Sequence, residues 1–209
     1  MRRALLVPAF VLASLIAHSA PEQAAAQAQP ATASATVTRL QDGLIALMQS
    51  GDAGADRTGA VTELLRATHD LRYIARVVLG RHWRALSPEE QAKFIEQFEA
   101  LSVANYTARF RRYGGERFEV ADEQTVSDEE HNVRSTLTTA KGEPHEFVYT
   151  LHRDGDTWRI VNIVVDGVSD LALKRAEYGR LMDAGGFPGL LAELARQTER
   201  LRARANETT

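Results

Sequence analysis

The chain has no cysteine in 209 residues. That absence excludes a lipidated N-terminal cysteine, a disulfide framework and thiolate metal sites together. An exported domain of this kind must then rely on its apolar core. Histidine offers no ligand pattern either. Of the six present, His18 lies in the leader, and His69, His82, His131, His145 and His152 show no H-x-x-x-H or H-E-x-x-H spacing. No metal and no cofactor are expected. A glycine-rich phosphate loop is also missing. Gly167-Val168-Ser169 has the front of a nucleophile elbow without its second glycine, and Ser169 reads better as a helix cap. Glu89 and Glu90 form a carboxylate pair that helix-start electrostatics explains. The residues give no reason to expect an enzyme.

The only long apolar run is at the start. Arg2 and Arg3 precede the apolar stretch 4–17, and small residues follow, with Ala26-Gln27-Ala28 fitting an A-x-A cleavage site and Ala24-Ala25-Ala26 the alternative. The run is shorter than the roughly 20 apolar residues of a membrane span. We therefore expect a cleaved signal over 1–28, export to the periplasm, a disordered Ala/Gln/Thr/Pro lead-in over 29–36, and one domain over 37–206. Loss of Arg2, Arg3 and Glu22 takes 25 basic and 28 acidic residues to 23 and 27, a net charge of −4. Nothing in that balance suggests nucleic acid as a partner.

Helical spacing marks four N-terminal helices. Val37, Leu40, Leu44 and Leu47 define the first, ended by Gly51; Val61, Leu64 and Leu65 a short second; residues 70–79 the third. The fourth starts at Ser87-Pro88-Glu89-Glu90, a capping box with proline where no N–H is needed, and runs to about Arg112 with Phe94, Phe98 and Leu101 on one face. Between 116 and 165 the period changes to two. Phe118 and Val120 suggest a first strand, 133–139 a second, and Asp154-Gly155 a type I′ hairpin turn. That turn pairs Leu151 with Trp158, Tyr149 with Ile160, and Phe147 with Asn162. Two helices follow, one capped by Ser169 and one starting near Pro188, separated by Gly185-Gly186. The expected class is α+β: helices, a roughly four-stranded twisted antiparallel sheet, then helices, enclosing an apolar region.

Phe147, Tyr149, Leu151, Trp158, Ile160 and Val164 share one sheet face in this pairing, opposite Phe94, Phe98 and Leu101. A close-packed core and an apolar cavity have the same signature. Arg109, Arg111 and Arg112 form the one local basic cluster. It reads either as a solvated helix C-terminus or as a contact for anionic lipid head groups or an acidic partner.

Three segments resemble the MlaC family of toluene-tolerance periplasmic lipid carriers, which have an NTF2-like fold. They are Ile74-Ala75-Arg76-Val77-Val78-Leu79-Gly80 with Trp83, Ser87-Pro88-Glu89-Glu90-Gln91 and Phe94; residues 158–169; and Gly186-Phe187-Pro188-Gly189-Leu190. The family usually has an aspartate where this chain has Asn162. Residues 169–178 look closer to its hopanoid-associated HpnM branch. The resemblance implies a monomer that carries phospholipid or a hopanoid-type lipid between membranes. Its implied partners are an inner-membrane ABC/MCE-type or RND-type lipid transporter and an outer-membrane lipoprotein. It also implies that the nine apolar residues above line the lipid site. Two other readings stand beside it: an enzyme on the same kind of fold using His145 or His152 with Asp166, and a non-lipid envelope adaptor with a solid core.

Overall fold

The structure is a computed structural model and describes residues 32–50 and 55–206. The expected signal, its cleavage site and Gly51 lie outside the described residues. Among the described residues five helices and five strands follow, helices before and after the sheet as expected: α1 (Ala33–Ser50), α2 (Ala55–Thr68), α3 (Leu71–Leu79), a 3₁₀ turn (Gly80–Ala85), α4 (Pro88–Arg109), β1 (Arg117–Ser127), β2 (Glu130–Thr138), β3 (Pro144–Asp154), β4 (Thr157–Val165), β5 (Val168–Ser169) and α5 (Asp170–Asn206), the last one element bent at Gly186 where two helices are expected. No helix among the described residues is long and apolar enough to cross a membrane.

Local chemistry explains the helix ends. Asp70 accepts from the Tyr73 N–H at 2.8 Å and caps α3. Gly80 stops α3 at φ +53°, a conformation a side chain would strain. The Ser87 capping box forms in full: Ser87 Oγ accepts from the Glu90 N–H at 3.2 Å, and Glu90 Oε2 from the Ser87 N–H at 2.8 Å. α1 starts four residues before the expected Val37, so 33–36 are not part of a disordered lead-in. Ala33 is buried, Thr36 Oγ1 donates to the Trp158 carbonyl, and the Ser34 N–H and hydroxyl both donate to Glu123. Those contacts to the sheet outweigh the polar composition of the segment.

The strands form one antiparallel sheet in the order β1-β2-β3-β4-β5. Two features correct the expected register. The β3–β4 turn is centred on Gly155-Asp156, because Asp154 pairs with Thr157, and only Gly155 has positive φ (+59°). This is the pattern of a type II′ turn, with glycine first, and not type I′. The Asp-Gly type I′ pattern occurs one hairpin later, where Asp166 and Gly167 both have positive φ between the paired Val165 and Val168. In addition, the ladder steps from Leu151↔Ile160 to Thr150↔Asn162, leaving Val161 as a bulge. Leu151 therefore faces Ile160, Arg153 faces Trp158, Tyr149 faces Ile163, and Phe147 faces Val165.

Helices cover one face of the sheet in two ways. α1 lies directly on β1, β2 and β4. There Gln41 Nε2 donates to Ser135 Oγ at 2.8 Å and to the Tyr149 hydroxyl at 3.3 Å. α4 packs mainly on α5, α2 and α3, while α5 reaches β4. At the α4–α5 contact Phe94, Phe98 and Tyr178 form a buried aromatic cluster with ring centroids 6.0–6.4 Å apart.

Candidate functional site

A cleft of about 410 Å³ opens where α4 and α5 stand over β4. Its volume falls within the roughly 300–1,000 Å³ common for small-molecule sites. Exposure sorts its lining. Leu65, Phe98, Ile160 and Tyr178 are buried, while Asn105, Arg109, Asp170 and Leu173 are exposed. The result is a largely apolar interior and a rim that is polar and charged apart from Leu173. On that rim Lys174 pairs with Asp170 one turn away, and Gln197 Nε2 donates to Glu177 at 2.7 Å.

The bulge at Val161 decides which side chains reach the cleft. Without it, β4 would present Trp158, Ile160, Asn162 and Val164 on one face. With it, Ile163 and Val165 come to the side of Tyr149 and Phe147 and line the cleft, and Val164 turns to the other face opposite Val148. Val164 therefore does not share the face expected for it. No glycine or proline in 157–165 marks the bulge, and strict alternation puts Ile163 on the wrong side.

Of the nine apolar candidates, Phe98, Leu101, Phe147 and Ile160 line the cleft. Tyr149, Leu151 and Trp158 share the face but fill the core instead. Gln41 of α1 reaches the Tyr149 hydroxyl, burial of which pushes its pKa up to about 12. Trp158 packs tilted against His131 at 4.1 Å between centroids, under the Arg153 guanidinium. Phe94 is taken up by the aromatic cluster with Tyr178. One sheet face is therefore filled under α1 and hollow under α4 and α5, which periodicity does not distinguish.

Among the basic candidates Arg109 lines the cleft rim; Arg111 and Arg112 lie past the end of α4 and do not. His145 Nδ1 lies 2.7 Å from Asp166 Oδ2, and Asp166 Oδ1 accepts from the Glu146 N–H at 2.9 Å. These bonds, the one to His145 first, hold the Asp166 carboxyl below its ordinary range. His152 is not partnered by Asp166: it faces Asp70 at 3.0 Å, beside the Tyr73 ring. None of these three lines the cleft. Among the described residues no group of three His, Cys, Asp or Glu side chains could hold a metal.

Sequence reasoning missed the polar residues of the interior, His69 and Tyr106. His69 follows α2 and pairs with the edge of β4 through a bridge to Ile160. Its ring is buried, which lowers its pKa to about 4. Tyr106 lies one turn beyond Leu101 and Ser102 on α4, and its hydroxyl lies 3.3 Å from His69 Nε2. Asn162 is a further polar residue of the wall. Its Oδ1 accepts from Ser169 Oγ and, more distantly, from the Leu171 N–H.

A family model described as "MlaC protein" matches residues 38–196. The chain belongs to the MlaC family. It is 23% identical over 128 residues to the toluene tolerance protein ttg2D of Pseudomonas putida, a match covering 61% of this chain and 60% of that relative's length. A phospholipid-binding protein from Ralstonia solanacearum, solved in complex with a phospholipid, has the same fold. Its TM-score is 0.72 at 20% identity, over 82% of this chain and 99% of the other. This MlaC-family fold matches the α+β arrangement expected, with a short fifth strand added at the β4 edge.

Proposed function

We propose that this MlaC-family protein is a periplasmic carrier that encloses lipid tails in the α4–α5–β4 cleft and moves lipid between the inner and outer membranes without catalysis. The observation that carries the reading is the cleft: largely apolar inside and charged only at its rim. An acyl chain gives up about 0.8 kcal/mol per CH₂ on entering water, so a carrier needs a dry interior and no reactive group. Phospholipid is the first cargo class, since the structural relative was solved with one. A hopanoid-type lipid is the second, suggested by the sequence of 169–178. The implied exchange partners are an inner-membrane ABC/MCE-type or RND-type transporter and an outer-membrane lipoprotein, and Arg109, at the rim, is the cation proposed to meet anionic head groups.

Organic extraction of the purified protein followed by mass spectrometry tests the reading, together with loading from phosphatidylglycerol vesicles. Stoichiometric lipid in either experiment supports it. Absence of lipid in both leaves the adaptor reading, in which the cleft is not a cargo site.

A further inference from the structure

The interior of the cleft is not wholly apolar. Leu64, Thr68, His69 and Tyr106 form a chain of hydrogen bonds whose direction follows from counting protons. Thr68 Oγ1 donates its only hydrogen to the Leu64 carbonyl at 2.8 Å. Toward His69 Nδ1, 2.9 Å away, Thr68 can then only accept, so Nδ1 carries the ring proton. The buried ring is neutral near pH 7, its pKa being about 4, so it has a single N–H and its Nε2 is an acceptor. The Tyr106 hydroxyl, 3.3 Å from Nε2, therefore points its hydrogen at His69. The chain ends in a phenolic oxygen with its proton committed and its lone pairs left for the cleft that Tyr106 lines.

We propose that Tyr106 Oη is a specificity-determining acceptor for a hydroxyl group carried on the buried, hydrophobic part of the cargo. The inference rests on the carrier reading and narrows it to lipids whose apolar skeleton bears an O–H donor. Tyr106 is half-buried in the cleft, and a cargo chain laid over its oxygen would leave that acceptor without a donor, which is unfavourable; a plain acyl chain supplies none. A ketone at the same place has no proton to give and meets a tyrosine whose own proton faces away. Polarity alone is therefore insufficient; the group must donate.

The test is competitive loading of purified protein with octadecanoic acid, a series of its mono-hydroxylated forms with the hydroxyl moved along the chain, and the matching keto acids. Phosphatidylglycerol vesicles serve as the general loading control. At least one hydroxy acid is expected to bind roughly threefold to tenfold tighter than the parent chain, with its keto analogue no better than the parent. Tyr106→Phe should lose that preference, read as the ratio of hydroxy-acid to parent-acid affinity measured on the variant itself. His69→Leu frees the tyrosine proton, and the keto analogue should then gain. If His69→Leu does not fold, the Tyr106→Phe comparison still decides.

Equal binding of hydroxy, keto and parent chains by the unaltered protein overturns the proposal and leaves the carrier reading standing. So does a hydroxy preference that survives in Tyr106→Phe. Failure to load any lipid, phosphatidylglycerol included, overturns both.

Discussion

Asn162 Oδ1 accepts a hydrogen bond from Ser169 Oγ at 3.0 Å, and Ser169 Oγ in turn accepts from the Ala172 N–H at 3.1 Å. Two polar side chains thus fasten the β4 wall of the cleft to the first turn of α5. An aspartate at 162 could make the same bonds and would also complement the positive end of the helix. The position needs an acceptor more than an amide.

Asn162→Ala should therefore cost about 1–2 kcal/mol, since it removes the acceptor for a partly buried hydroxyl and weakens the bond to the Leu171 N–H. For a domain of this size that is roughly 2–8 °C in Tm. Asn162→Asp should stay within about a degree of the unaltered protein. Calorimetry of the two variants checks this; equal losses would show that the acceptor is not what matters.

The bulge at Val161 yields a sharper comparison. Ile163 lines the cleft and its neighbour Val164 faces away. Ile163→Arg should abolish lipid loading in a folded protein, because a guanidinium cannot be desolvated in an apolar cleft without a partner. Val164→Arg, one residue on, should load normally. Loading assays paired with circular dichroism separate the outcomes, and the reverse result would mean the ladder runs without the bulge.

His69 gives the stability a defined pH dependence. Its pKa falls from an ordinary 6.5 to about 4 through burial, so between those values the unfolded chain binds a proton that the folded chain does not. Stability then rises with pH across the window. The contribution is fully present above pH 6.5 and declines by about 3 kcal/mol as pH falls toward 4. Urea titrations at stepped pH should show that slope in the unaltered protein and a flatter one in His69→Gln. Parallel curves would place the acid sensitivity elsewhere.

What could be read in advance follows from how local the determinants are. Ser87 to Glu90 and the Asp70 cap act within one turn, and their bonds form as the residues suggest. The Ser169 cap and the break at Gly185-Gly186 are equally local. The sheet face was harder. Gly155 is compatible with either hairpin frame, and the II′ frame wins in a sheet whose β4 also has to absorb a bulge. Tyr149 and Trp158 versus Phe147 and Ile160 differ only in whether α1 or α4 lies above them. That is set by helices more than a hundred residues away for Tyr149 (Gln41) and Trp158 (Thr36). His69 and Tyr106 are 37 positions apart and meet only through the packing of α2 against α4.

The joint within α5 supplies a last prediction. Gly186 has φ 61° and ψ −167°, a region open essentially to glycine alone, and the helix resumes beyond it with Pro188 in its first turn. Beyond the joint Leu190 and Leu194 are buried, and Gln197 and Leu201 line the cleft. Gly186→Ala should cost about 1–3 kcal/mol and weaken loading, because relief of the strain swings that half of α5 off the cleft. Gly185→Ala is a control on the adjacent residue. A methyl there meets nothing within 4 Å, and its φ is not in the left-handed region. In a helix alanine is favoured over glycine by about 1 kcal/mol, so Gly185→Ala should match or exceed the unaltered protein in Tm and load lipid normally. If the two alanines behave alike, the bend is not held by the conformation of Gly186.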